Sequence, residues 1–102
     1  MTRSRRPPRA AVQRFRELVA SWAGRLRVQP KQIRVQPMTR KWGSCSPAGR
    51  VIFATALLGK PRRFREYVIL HELLHLRVRN HGRLHRAYLR AYAKEAAEAY
   101  CP

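Results

Sequence analysis

The chain has 102 residues, 45% of them apolar, enough to bury one modest core and too many for a disordered composition. Lys and Arg number 23 against five acids, a net charge of +18, and no apolar run approaches the ~20 residues of a membrane-spanning helix. These values exclude a disordered chain and one that crosses a bilayer by a helix, and they favour polyanionic partners.

The charge has a particular makeup. Nineteen of the cations are Arg, and the acids are all Glu. Arginine takes phosphate in a bidentate fork, so DNA, RNA or a nucleotide is an expected partner of the basic surface. The two cysteines, Cys45 and Cys101, form no CxxC pair. The four Arg among residues 1–9 are followed by no apolar segment of the kind that secretory signals carry. Reduced thiols and a cytoplasmic location are therefore expected, with no membrane partner. Oligomeric state is not legible in the sequence.

In chain order, residues 1–8 read as a basic flexible N-terminus and residues 9–102 as one domain. A first helix is expected from about Pro8 to Val28, because Val12, Phe15, Leu18, Val19, Trp22 and Leu26 recur at intervals of three and four. Gln29-Pro30 breaks it. Ile33 to Gln36 alternates as a short strand, and Met38 to Ser44 is a second extended piece. Ser46-Pro47-Ala48-Gly49 has turn chemistry and predicts a hairpin into a third, central strand from Arg50 to Leu57. Pro61 suits the first turn of a second helix running to Val78, where Asn80-His81-Gly82 would stop it. A third helix is expected from Arg83 to Ala99, with Leu84, Ala87, Tyr88, Ala91 and Tyr92 on one side. The sum is an α+β domain with one helix, three short strands in an antiparallel or mixed sheet, and two further helices.

The chemistry concentrates in the second helix. Tyr67 to His75 contains His71-Glu72-Leu73-Leu74-His75, a His-Glu-x-x-His pattern. Residues i and i+4 share a helix face, so His71 and His75 can aim at one metal ion. Glu72 stands ~100° round the helix, placed to take a proton from a metal-activated water. The segment from Phe64 to Val78 is apolar nearly all round, so this helix is expected to be buried, and buried His and Glu need polar partners.

A catalytic zinc takes three protein ligands. The candidates for the third are His81, His85, Glu95 and Glu98. His81, six residues after His75, resembles the third His of the extended zincin motif, although Val78 stands where that motif has Gly. His85 remains as an alternate or outer ligand one turn later. Glu95 would lie ~20 Å along the third helix from its start. Cys45 has no companion thiol and ranks below the histidines.

A wider string also carries weight. Trp42-Gly43-Ser44-Cys45-Ser46, then Gly49, a strand, Pro61, Glu66 to Leu76 and Asn80-His81 resembles the YgjP-like metal-dependent hydrolases, relatives of the SprT-like zinc metallopeptidases. The resemblance spans about residues 38–92. It implies a minimal zincin-like fold, Zn2+ as cofactor, His71, His75 and His81 as metal ligands, and Glu72 as general base. Departures are Gly82 in place of a Ser, His85-Arg86 in place of an aromatic pair, and Ala54 in place of an Asn. The expected function is a zinc-dependent hydrolase, foremost a minimal metallopeptidase acting on a peptide or protein at or near nucleic acid. The alternatives are a nucleotide pyrophosphatase of the YgjP-like type, and a non-enzymatic basic module whose zinc is structural. Trp42 to Ser46 is either packing or an edge strand that pairs with an extended substrate.

Overall fold

A computed structural model describes residues 7–79 and 81–94. Most of the basic N-terminal segment, Cys101, Glu98, Glu95 and the far end of the expected third helix lie outside the described residues. The element order is α1 (Arg9–Leu26), β1 (Gln32–Gln36), β2 (Gly43–Cys45), β3 (Arg50–Ala54), a 3₁₀ turn (Thr55–Gly59), α2 (Arg62–Leu74) and α3 (Arg83–Tyr92).

The periodicity of α1 places Phe15, Val19, Trp22, Ala23 and Leu26 in the core. Arg27 ends the helix in the left-handed conformation, at φ 57°, and the Val28 amide donates back to the Ala23 carbonyl. That closure is of Schellman type, made without the usual glycine. The chain then reverses into a three-stranded sheet of order β1-β3-β2. β1 pairs with β3 in parallel, Ile33 opposite Val51, and β2 pairs with β3 antiparallel, Cys45 opposite Val51. The sheet is therefore mixed, and β3 is central as expected. Its hairpin closes through the Gly49 amide donating to the Ser46 carbonyl at 3.0 Å, with Gly49 at φ 95°. A residue with a Cβ is strained at that angle.

Three expectations need correction. The second extended piece is a strand only over Gly43–Cys45, and residues 38–42 lie outside the strands, with the Trp42 carbonyl still accepting from the Ala54 amide. The third strand ends at Ala54, and Thr55–Gly59 winds into a 3₁₀ turn that buries Leu57. The apolar run hid this change, since strand and buried turn share a composition. Finally, α2 stops at Leu74, not Val78. The amides of His75, Leu76 and Arg77 donate to the carbonyls of Glu72, Leu73 and Leu74, so the chain tightens into i→i−3 bonds over its last turn.

One cluster joins the elements. Phe15, Val19, Trp22 and Leu26 of α1 meet Val51 and Phe53 of β3, Leu57, the inner face of α2 and Leu89 of α3. Phe15 and Phe53 cross edge to face at 5.2 Å. Trp22 Nε1 donates to the Glu66 carboxylate at 3.3 Å, and the Arg77 guanidinium donates to the Leu26 carbonyl at the end of α1. These two bonds fix α2 at both ends against α1.

Candidate metal and catalytic site

Helix α2 is buried through Val68, Ile69, Leu70, Leu73 and Leu74. That packing turns its remaining face, with His71 and His75, away from the core. His75 caps the C-terminus of α2 and still adopts helical φ and ψ, so the one-turn spacing survives the early end of the helix. The bend at His81 and Gly82 then brings α3 back along α2. The inward face of α3 is His85 and Leu89, with Tyr88 and Tyr92 half-buried. This corrects the expected face: Leu84 is 58% exposed, and Ala87 and Ala91 face solvent. Tyr88 and Tyr92 of the expected side do pack against the core, but the face is turned towards Leu89 and His85, and hydrophobic spacing does not count a histidine.

The return of α3 gathers all four histidines of the chain. His71, His75, His81 and His85 each offer a ring nitrogen, and these nitrogens lie within 4.8 Å of one another. Among the described residues this is the group able to hold a metal ion. The Nε2 atoms of His81 and His75 are 2.7 Å apart, and His85 Nε2 donates to the His71 carbonyl oxygen at 3.3 Å. His71 Nδ1 is buried with no hydrogen-bond partner. A buried, unpartnered ring nitrogen is costly. So are four converging lone pairs, unless a cation shares them. The donor set therefore fits zinc, which favours imidazole nitrogen and tetrahedral geometry.

The electrostatics agree. Burial, then the His85, His81 and His75 rings, holds His71 down from 6.5 to about 4. Burial likewise lowers His75 and His85. His71, His75 and His85 are thus neutral at physiological pH, the state in which imidazole binds a metal.

Glu72 lies beside the cluster at 8% exposure. Burial raises its carboxyl from 4.5 to about 7, and Lys41 opposes the rise. The strand β2 presses on it: a Cβ on Gly43 would stand 2.9 Å from Glu72 Cγ. Gly43 is thus glycine because the edge strand and the carboxylate side chain share one space. Cys45, on the same strand, is raised by burial and by Glu72, while Arg79 opposes. Its thiol stays protonated and stands apart from the four-histidine group. The Arg79 guanidinium also donates to the His75 carbonyl at 2.8 Å, closing the end of α2. Tyr67, one turn before His71, sets its ring 5.9 Å from that imidazole. Tyr67 lies within the Glu66 to Leu76 string read above, whereas no motif marks Arg79 in the sequence.

A small mixed sheet over a His-Glu-x-x-His helix, with a metal-capable histidine cluster at its end, defines a zincin-like metallopeptidase. The family profile described as YgjP-like, metallopeptidase domain, matches residues 7–100, and the chain belongs to that family. Two solved structures share the fold. The metallopeptidase zymogen jannalysin of Methanocaldococcus jannaschii aligns at a TM-score of 0.73 and 24% identity, over 83% of this chain and 88% of that one. The metallopeptidase zymogen abylysin of Pyrococcus abyssi aligns at 0.70 and 20%, over 83% and 90%. No curated protein matches. The chain is a zinc metallohydrolase whose substrate class is peptide or protein.

Proposed function

We propose that this metallopeptidase cleaves peptide bonds with His71, His75 and His81 as zinc ligands and Glu72 as general base. The observation that carries the reading is the placing of Glu72. It is the residue after the first histidine, held by β2, in a setting that keeps its carboxyl near neutrality. A general base works best with a pKa near the working pH. The three histidines would hold zinc, and the bound ion would supply Lewis-acid polarisation of the scissile carbonyl and a more acidic water. Glu72 would take a proton from the attacking water and return it to the leaving amine. Substrate orientation falls to β2. It is the outer strand of the sheet next to Glu72, so its free edge can add an extended peptide as a fourth strand.

The test is Glu72→Gln. The variant should keep one zinc per chain and lose peptidase activity on casein by roughly 10²–10⁴-fold. Full activity in a variant that retains zinc would remove Glu72 from the mechanism. Pyrophosphate release from nucleoside triphosphates serves as the control for the phosphoanhydride alternative.

We further propose that the enzyme is cytoplasmic and that its substrates lie at nucleic acid, a reading that the net charge of +18 supports. Arg83, Arg86 and Arg90 project from the solvent-facing side of α3 around Ala87 and Ala91, lining a shallow groove of about 480 Å³. This spacing sets three guanidinium groups along one helix face, suited to successive phosphates.

A further inference from the structure

Of the four histidines, family resemblance accounts for three. His85 occupies a position where that resemblance leads one to expect an aromatic ring. It is 2% exposed, the most buried ring of the cluster by residue class, and it faces inward from α3 beside Leu89. Its Nε2 already has a partner, since it donates to the His71 carbonyl. In a neutral imidazole, that leaves the lone pair on Nδ1. A ring whose second nitrogen donates to a backbone carbonyl is the usual state of a metal-bound histidine.

The spacing of the rings decides whether His85 stands in the shell or outside it. A metal bonded to four imidazoles in a tetrahedron, each at ~2.0–2.1 Å, holds the ring centroids about 5.2 Å apart, whichever nitrogen binds. Among His71, His75 and His81 the centroid distances are 5.4, 4.6 and 4.5 Å. From His85 to the same three rings they are 4.9, 5.1 and 5.0 Å. All six edges of a tetrahedron are thus present, and the edges to His85 are the most even. An outer ring that merely supported a ligand would be near one imidazole and far from the others. His85 is nearly equidistant from all three, as a fourth donor to a shared ion would be.

We infer that His85 is a fourth zinc donor, so that the metal-loaded resting enzyme is closed by four imidazoles. This rests on the zinc site proposed above and changes its resting state. Three of the donors are held on helices or at a helix end. His81 is exposed on the bend between α2 and α3, which makes it the donor least constrained by packing.

The decisive measurement uses the intact protein, labelled with ¹⁵N and loaded with ¹¹³Cd. One-bond coupling to cadmium counts the bound imidazoles directly. Four coupled rings, His85 among them, are expected. Three coupled rings with His85 uncoupled would overturn the inference and leave the three-histidine reading intact. No coupled ring would sink both. A second measurement compares the wild type with His85→Phe after cobalt substitution. The wild type should show the intense visible absorption of a four-coordinate, four-nitrogen site. The variant should show a shifted spectrum and a zinc affinity about 10–100-fold weaker in chelator competition. An unchanged spectrum and unchanged affinity in a folded variant also overturn the proposal.

Discussion

At the scale of single residues, close contact decides more than residue type. Gly43 is the clearest instance. Its missing side chain lets β2 lie on Glu72, and a Cβ would meet Cγ at 2.9 Å and the Ile52 carbonyl at 3.2 Å. Gly43→Ala should cost about 1–3 kcal/mol of stability, because neither the backbone of β3 nor the buried carboxylate side chain can withdraw freely. It should also reduce turnover while zinc content holds. Denaturant unfolding beside a casein assay checks both. Equal stability and activity would mean that Glu72 swings clear without consequence. Gly24 is the opposite case. It lies inside α1, and a Cβ there meets nothing within 4 Å. Gly24→Ala should raise stability by about 0.5–1 kcal/mol. Both glycines look alike in the sequence, and only their surroundings separate them.

At the scale of elements, α2 does two jobs with two faces. Its apolar face is wedged among α1, β3 and α3 through residues at or near zero exposure, including Ile69, Leu70 and Leu73. Its other face carries the histidines. Leu73→Ala, between the two metal-binding candidates and fully buried, should cost about 2–5 kcal/mol. It should also weaken zinc binding, since His71 and His75 keep their relative positions only while this helix is packed. A thermal melt with and without added zinc reads both effects. A variant as stable as the wild type would mean that the core repacks around the void. The existence of α1, β1, the hairpin and α2 was legible from period and turn chemistry. The end of β3 and the end of α2 were not, because a 3₁₀ turn and a helix end tightened by i→i−3 bonds leave the apolar pattern unbroken. The inward face of α3 was missed for a related reason. Its key residue is a histidine, which hydrophobic periodicity does not count.

At the scale of the whole molecule, burial of ionisable groups ties stability to pH. Consider the metal-free protein. His71 has its pKa lowered from 6.5 to about 4, and His75 and His85 are lowered as well. As pH falls from 6.5 towards 4, the unfolded chain takes up protons that the folded rings refuse, so stability is lost. Glu72 acts in the other direction. Its carboxyl is raised to about 7, so ionisation penalises the folded state as pH rises from 4.5 to 7. Three histidines oppose one glutamate. The melting temperature in chelator should therefore climb between pH 4.5 and 6.5, and a flat or falling profile would contradict the burial of the rings. The net charge of +18 belongs to the same scale. If the arginines of α3 contact phosphates, affinity for a short DNA duplex should fall linearly in log–log salt titration, with a slope reduced by about 0.9 for each arginine removed.

The sequence by itself determined the composition of the site and the type of each major element. Helical spacing placed His71 and His75 on one face with Glu72 beside them, and those relations depend only on the 3.6-residue repeat. Turn residues marked the hairpin, and charge marked the basic surface. What the tertiary structure decided is everything that depends on packing between distant segments. It pressed β2 onto Glu72, carried α3 back along α2, and set His85 as far from each of the other three rings as they stand from one another. Spacing along a chain fixes neighbours within one helix. The angle at which a second helix returns is fixed by side chains that fill the space between them, and no local pattern contains that angle.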